Sequence, residues 1–169
     1  MPTPLPKRRS VRLENWSYRE GTFLVTIVTH RRRHLFGAVR DDRVLLSRLG
    51  RLVDAEWLAV GDRRSNNTAL DGHVVMPNHL HAIIHLYDLS PPQTHVDRRG
   101  LESDTLGSIV GGFKAAVTAR ARRDGLIAED QKLWQRSFHD AALRTDRNLA
   151  DAREYVRRNP ELWASDPDR

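Results

Sequence analysis

The stretch from Met76 to Ile84, MPNHLHAII, sets two histidines one residue apart in an otherwise mostly apolar segment. On an extended strand side chains alternate, so His79, His81, Ile83 and His85 share one face while Leu80, Ala82, Ile84 and Leu86 share the other. The second set is a clean core face. The first therefore points away from that core, and two neutral imidazoles side by side at i and i+2 can chelate one divalent cation. His85 sits farther along and is not expected to be a ligand. A bare H-x-H is weakly specific, and a surface strand that happens to carry histidines is the plainer alternative.

A second constellation is Tyr155 and Asn159 in REYVRRNP, where i,i+4 spacing on a helix stacks a phenol and an amide on one face. The plainer alternatives are a tyrosine packed beside Ala152 and Val156, and an asparagine that ends the helix before Pro160. Cysteine is absent, so phosphoryl chemistry would need another nucleophile near the histidines. The chain has three tyrosines. Tyr87 follows His81 on the same strand by roughly 20 Å at strand rise and cannot reach the same phosphate. Tyr18 is not excluded, although nothing near it offers a metal ligand. Trp134, Gln135 and Asp140 receive no catalytic role, and for Trp134 packing is the better reading.

These residues sit in a chain of 169 residues, a length suited to one domain over residues 1–169 with one core. Lys and Arg number 28 against 22 Asp and Glu, a formal net charge of +6, and the sequence pI is about 10.4. That balance favours a polyanionic partner, nucleic acid first and an anionic membrane second. The lack of cysteine removes disulfides and thiolate zinc sites, leaving imidazole, carboxylate or amide to hold any metal. No apolar run approaches the roughly 18 residues of a membrane span, and MPTPLPKRRS lacks the apolar centre of a signal peptide. The expectation is a cytoplasmic protein with no membrane partner, associated with the nucleoid when bound to DNA.

Positioning the site falls to a short series of elements. Residues 1–20 read as a basic arm, and Thr22–Thr29 is a strand dense in β-branched and aromatic residues, followed by a charged turn at Arg31–His34. Leu49, Leu52, Val53, Trp57 and Val60 recur at helical spacing after Ser47, a candidate N-cap, with Gly61 closing the helix. Leu70–Met76 and Leu80–Leu86 are two strands joined through Pro77 and Asn78, and residues 88–102 form a loop. Ser103 and Asp104 start a second helix with the stripe Leu106, Ile109, Val110, Phe113, Ala116 and Val117. A short strand near Phe138 and a last helix from about Arg147 to Asn159, stopped by Pro160, complete the series. Strand, helix, strand, strand, helix, strand, helix is the α+β, ferredoxin-like split βαβ pattern. It places an antiparallel sheet under helices on one face and adds a C-terminal helix, which carries Tyr155.

With these elements in place, the chain resembles the HUH single-strand DNA transposases with one catalytic tyrosine, and within them the REP-associated tyrosine transposases. His79-Leu80-His81 in VVMPNHLHAII is the HUH element. The similarity extends over nearly the whole chain through GTFLVTIVTHRRRHLFG, GGFKAAVTAR, LWQRSFHDAALR and EYVRRNPELWASD. PNHLH, WQ-x-x-F-x-D and Y-x-x-x-NP in this order and spacing are specific together where HUH alone is not. The resemblance implies that Tyr155 is the nucleophile, that His79 and His81 are metal ligands and that Asn159 is the third. It implies a divalent ion, Mg²⁺ or Mn²⁺, and a 5′-phosphotyrosine intermediate that a 3′-OH can reverse. The implied partner is single-stranded or hairpin DNA, REP-like palindromes included. Arg8, Arg9, Arg12, Lys114, Arg120, Arg122 and Arg123 are the expected DNA contacts, and monomer and homodimer both stay open. Two other readings stand beside this one: a host-retained protein that binds a DNA hairpin without cutting, and a phosphodiesterase using paired histidines as acid and base.

Overall fold

A computed structural model describes residues 18–64, 66–89, 105–166 and 169. The expected basic residues Arg8, Arg9 and Arg12, most of the 88–102 loop, and the expected helix start at Ser103 and Asp104 lie outside these residues. In chain order the elements are β1 (Gly21–Val28), β2 (Gly37–Arg40), β3 (Arg43–Leu46), α1 (Arg48–Arg63), β4 (Thr68–Val75), β5 (His79–Leu86), α2 (Leu106–Arg123), β6 (His139–Ala142) and α3 (Asp146–Arg158). Short 3₁₀ turns occupy His30–Arg32 and Trp163–Ser165.

The main sheet has the order β4-β5-β1-β6, and every neighbouring pair is antiparallel. This is the split βαβ arrangement expected from the sequence. Ser47 caps α1 by accepting from Gly50 N, and Thr105 begins α2 with a capping box shared with Ser108. α1 continues past Gly61 to Arg63. A Cβ at Gly61 would lie 3.1 Å from a Leu70 side-chain carbon, so its use is close packing on β4 and not a helix stop. The hairpin β2–β3 was not expected. Its two turn residues, Asp41 and Asp42, both have positive φ (50° and 56°), as a type I′ hairpin turn demands.

Phe23, Val25 and Ile27 of β1 and Leu80, Ala82, Ile84 and Leu86 of β5 join Leu49, Val53 and Trp57 of α1 and Ile109, Phe113 and Val117 of α2 in the principal core. Trp57 is fully buried and meets Phe113 edge-on at 5.2 Å between centroids. Trp134 does serve packing: its ring lies 5.4 Å from Phe36 and 5.8 Å from Phe113. It also bridges to Thr29 at the end of β1. α3 covers the opposite face, over β4 and β5. There a small cluster of Leu24, Ile83, Ala152 and Val156 holds it down. The helices thus divide, α1 and α2 on one face and the C-terminal helix alone on the other.

Candidate metal and tyrosine site

The alternation of β5 delivers His79 and His81 to the α3 face, where strand register pairs them with Val28 and Thr26 of β1. The Pro77–Asn78 turn just before them is tied down from three sides. Phe36 N donates to Pro77 O, Thr29 N donates to Asn78 O, and the Asn78 amide nitrogen donates to Arg32 O at 3.2 Å. That last bond fixes which side-chain atom of Asn78 is the oxygen. Asn78 Oδ1 lies 2.8 Å from His79 Nδ1, and an amide oxygen only accepts, so neutral His79 carries its proton on Nδ1 and presents a lone pair at Nε2. Thr26 Oγ1 holds His81 Nδ1 at 2.8 Å. Partners of this kind orient imidazoles that ligate metals.

Both Nε2 atoms face residues from the C-terminal part of the chain. Tyr155, on α3, places its hydroxyl 3.2 Å from His81 Nε2. The turn Trp163–Ser165 then brings Asp166 back over β5, with its carboxylate 1% exposed and 3.7 Å from His79 Nε2. The two imidazole rings stand 4.4 Å apart, and one ligand atom from each of His79, His81 and Asp166 lies within 4.8 Å of the others. Such a donor set, two nitrogens and a carboxylate oxygen, can hold a divalent ion. Trp163 walls the group, 6.0 Å from the His79 ring. Asn159, one helical turn beyond Tyr155, is 1% exposed, and neither of its amide atoms has a hydrogen-bond partner among the described residues.

The structure thus brings together Tyr155, His79 and His81, and adds Asp166 and Trp163, which the sequence reading did not single out. His85 is elsewhere, held by Thr22 at 2.9 Å and by Asp71 at 3.1 Å. Asp71 also takes a two-pronged bond from Arg153 of α3, the shorter contact 2.6 Å. That guanidinium above all, with His85 and the Gly72 N–H, holds the Asp71 carboxyl well below the usual carboxylate range. Tyr18 stacks on Phe23 at 5.7 Å, against the principal core, and Tyr87 is exposed beyond the far end of β5. Neither shares a site with the histidines.

The four expected DNA contacts on α2 lie across the sheet from Tyr155. Lys114 donates to the carbonyls of Gln135 and Ser137 at 2.9 Å each, and burial pushes its pKa down to about 8. Arg120 is paired with the buried Glu56 at 3.0 Å. Arg123 meets Asp124 at 3.0 Å, and Arg122 approaches Glu129 at 4.0 Å. Nearer the histidines, Arg31 and Arg32 are exposed on the turn after β1, both with positive φ (57° and 54°). Non-glycine residues in that region are strained, and such strain concentrates at functional sites.

No family profile matches the chain. An uncharacterized protein of Haemophilus influenzae is 34% identical to it over 94% of this chain and 91% of its own length. Among solved structures, a REP-associated tyrosine transposase bound to a REP hairpin shares the fold with a TM-score of 0.60. That match has 18% identity and covers 90% of this chain and 73% of the other. At that identity the likeness is one of fold.

Proposed function

The chain belongs to one family with the Haemophilus influenzae protein, and we propose that it is a metal-dependent endonuclease and strand transferase of single-stranded or hairpin DNA, of the HUH type, acting through Tyr155. One observation carries the proposal: the Tyr155 hydroxyl stands 3.2 Å from His81 Nε2, at the edge of a buried cluster of two histidines and a carboxylate. The fold shared with a tyrosine transposase supports a DNA-processing role, and the REP hairpin held by that protein supports hairpin DNA as the partner. Residues 1–169 would work as a single domain.

The residues fit a divalent ion. Asp166 and His79 face each other at 3.7 Å, beyond hydrogen-bond reach but near the spacing of about 3–3.5 Å between two ligands of one ion. Burying an unsatisfied amide costs on the order of 2 kcal/mol or more, a penalty that an ion would relieve at Asn159. His79, His81 and Asp166 would hold the ion, with Asn159 as a fourth donor, and Mg²⁺ or Mn²⁺ suits the set. Bound there, a divalent ion supplies Lewis-acid polarisation of the scissile phosphate. Tyr155 does the covalent work. Its oxygen attacks phosphorus as the phenol gives up its proton, the bond to the 3′ oxygen breaks and that oxygen takes up a proton in exchange, and the products are a 5′-phosphotyrosine and a free 3′-OH. A phenol ionises near pH 10 in water, and a cation held by the histidines beside Tyr155 would favour its attacking form. The ester on Tyr155 preserves the bond, and a second 3′-OH can reverse the step and join a new strand.

Palindromes taken from the flanks of the coding sequence, offered as single strand, hairpin and full duplex at fixed salt, test this reading. Cleavage should need Mg²⁺ or Mn²⁺, proceed on the first two forms and stall on the duplex. A base-paired backbone resists entering such a site at a cost of a few kcal/mol. Equal rates on all three forms, or cleavage that survives EDTA, would overturn it.

A further inference from the structure

We propose a second nucleic-acid contact, remote from Tyr155: a cleft beyond the far end of β5 that takes an unpaired stretch of DNA, phosphates on Arg19, Arg63 and Arg64 and a base on Tyr87. The cleft encloses about 680 Å³ between the last turn of α1, the connection to β4, the residues following β5 and the first turns of α2. His79 begins β5, Leu86 ends it and Tyr87 follows, which puts the cleft roughly 27 Å from His79 at strand rise. It also opens on the α1 and α2 side of the sheet, since Ile109 and Phe113 of the principal core form part of its wall.

Three features suit a single-stranded nucleic acid. The lining is cationic, with three guanidiniums against one carboxylate, Asp88. Arg63 shares its charge with Glu56 yet keeps 53% of its side chain exposed. Tyr87 is 51% exposed beside these arginines, the pairing of π-face and positive charge on which an unpaired base stacks while its phosphates are held. Gly112 lies inside α2 on the wall of the cleft. A glycine weakens a helix interior, and apart from the neighbouring backbone of α2 no described atom lies within 4 Å of where its Cβ would be. Packing among the described residues does not require this glycine. An open strip of backbone instead lets a sugar-phosphate chain approach closely. The volume is that of a small-molecule site, room for about two nucleotides and too narrow for a duplex.

The inference extends the proposed function by naming where DNA outside the scissile phosphate is held, and it is read by binding alone. The probe is a fluorescein-labelled hexathymidylate titrated with the full chain in EDTA and followed by anisotropy. Gly112→Leu, and separately the pair Arg19→Ala/Arg64→Ala, should each weaken binding at least about tenfold, and Tyr87→Ala about tenfold. The arginine pair should also flatten the slope of log affinity against log salt by about 1.4, two phosphate contacts at ~0.7 each. Arg40→Ala/Arg43→Ala, an equal loss of charge on the exposed hairpin β2–β3, should change neither. Thermal melting checks the fold; were Gly112→Leu to unfold, the arginine pair alone decides. Wild-type binding by that pair, or an equal loss in the hairpin pair, overturns the site. Absence of cleavage with this binding pattern intact would count against the proposed function and leave the cleft standing.

Discussion

The two faces of the sheet are built on opposite plans. Beneath α1 and α2 the side chains are aliphatic or aromatic and interlock, with Trp57, Phe113 and Phe36 all essentially inaccessible to water. Beneath α3 the apolar contact shrinks to Leu24, Ile83, Ala152 and Val156. The rest of that face holds His79, His81, His85 and Thr26 with polar partners. One face makes the fold; the other spends its burial on groups that favour water. Buried polar groups lower stability unless they are fully partnered, and the buried Asn159 amide on this side has no hydrogen-bond partner among the described residues, so the α3 face is where a ligand would add stability.

That contrast can be broken most severely at the metal cluster. His81→Ala or Asp166→Asn should reduce ion-dependent cleavage about a thousandfold, the worth of several kcal/mol of charge stabilisation at a phosphate. The metal-free melting temperature of Asp166→Asn should barely fall, because the change is nearly isosteric and the side chain lies outside the principal core, whereas His81→Ala also strands the Thr26 hydroxyl and should cost about 1–3 kcal/mol. Wild type should gain roughly 2.7 kcal/mol of stability from Mn²⁺ at a hundred times its dissociation constant, and both variants should lose most of that gain. Melting curves with and without Mn²⁺ check this. A large metal-free collapse of Asp166→Asn would give the carboxylate a structural task instead.

The reverse experiment belongs on the other face. Trp57→Ala should destabilise the protein by about 3–5 kcal/mol, measured by urea unfolding. At temperatures where the variant stays folded, cleavage by the folded fraction should change little. A selective loss of turnover would mean that the two faces are coupled more tightly than their separate clusters suggest.

A milder perturbation sharpens the comparison at the seam where α3 meets the sheet. The Arg153–Asp71–His85 chain links α3 to β4 and β5. The Asp71 carboxyl is depressed in the folded state, chiefly by Arg153, so its stabilising contribution is present above about pH 4 and is lost as pH falls below that. Between pH 5 and 2 the melting temperature of wild type should therefore drop more steeply than that of Asp71→Asn. Parallel curves would remove the link from any account of how α3 is held.

Much of this division was legible in the sequence because alternation is a local signal. β5 announces both of its faces in eight residues, and Ser47 caps α1 as its hydroxyl type suggests. The hairpin β2–β3 was not legible, since Asp41-Asp42 is an uncommon pair for a turn that asks for two left-handed residues. Asp166 was missed for a different reason. It lies 85 positions after His81, past a helix-ending proline, and only the path of the chain through Trp163–Ser165 returns it to the histidines. Asn159 could be flagged by its spacing from Tyr155, but its burial without a partner is a tertiary fact.

The central claim, that Tyr155 is the residue that joins DNA, is tested most directly by trapping the protein on a single-stranded or hairpin substrate with Mn²⁺, digesting with trypsin and sequencing the modified peptide by mass spectrometry. The account places the nucleotide on the peptide of residues 154–157, Glu-Tyr-Val-Arg. It also expects Tyr155→Phe to yield no adduct while binding the same DNA as wild type does. Nucleotide recovered on the peptide that carries Tyr18 or Tyr87, or an undiminished adduct in Tyr155→Phe, would contradict it.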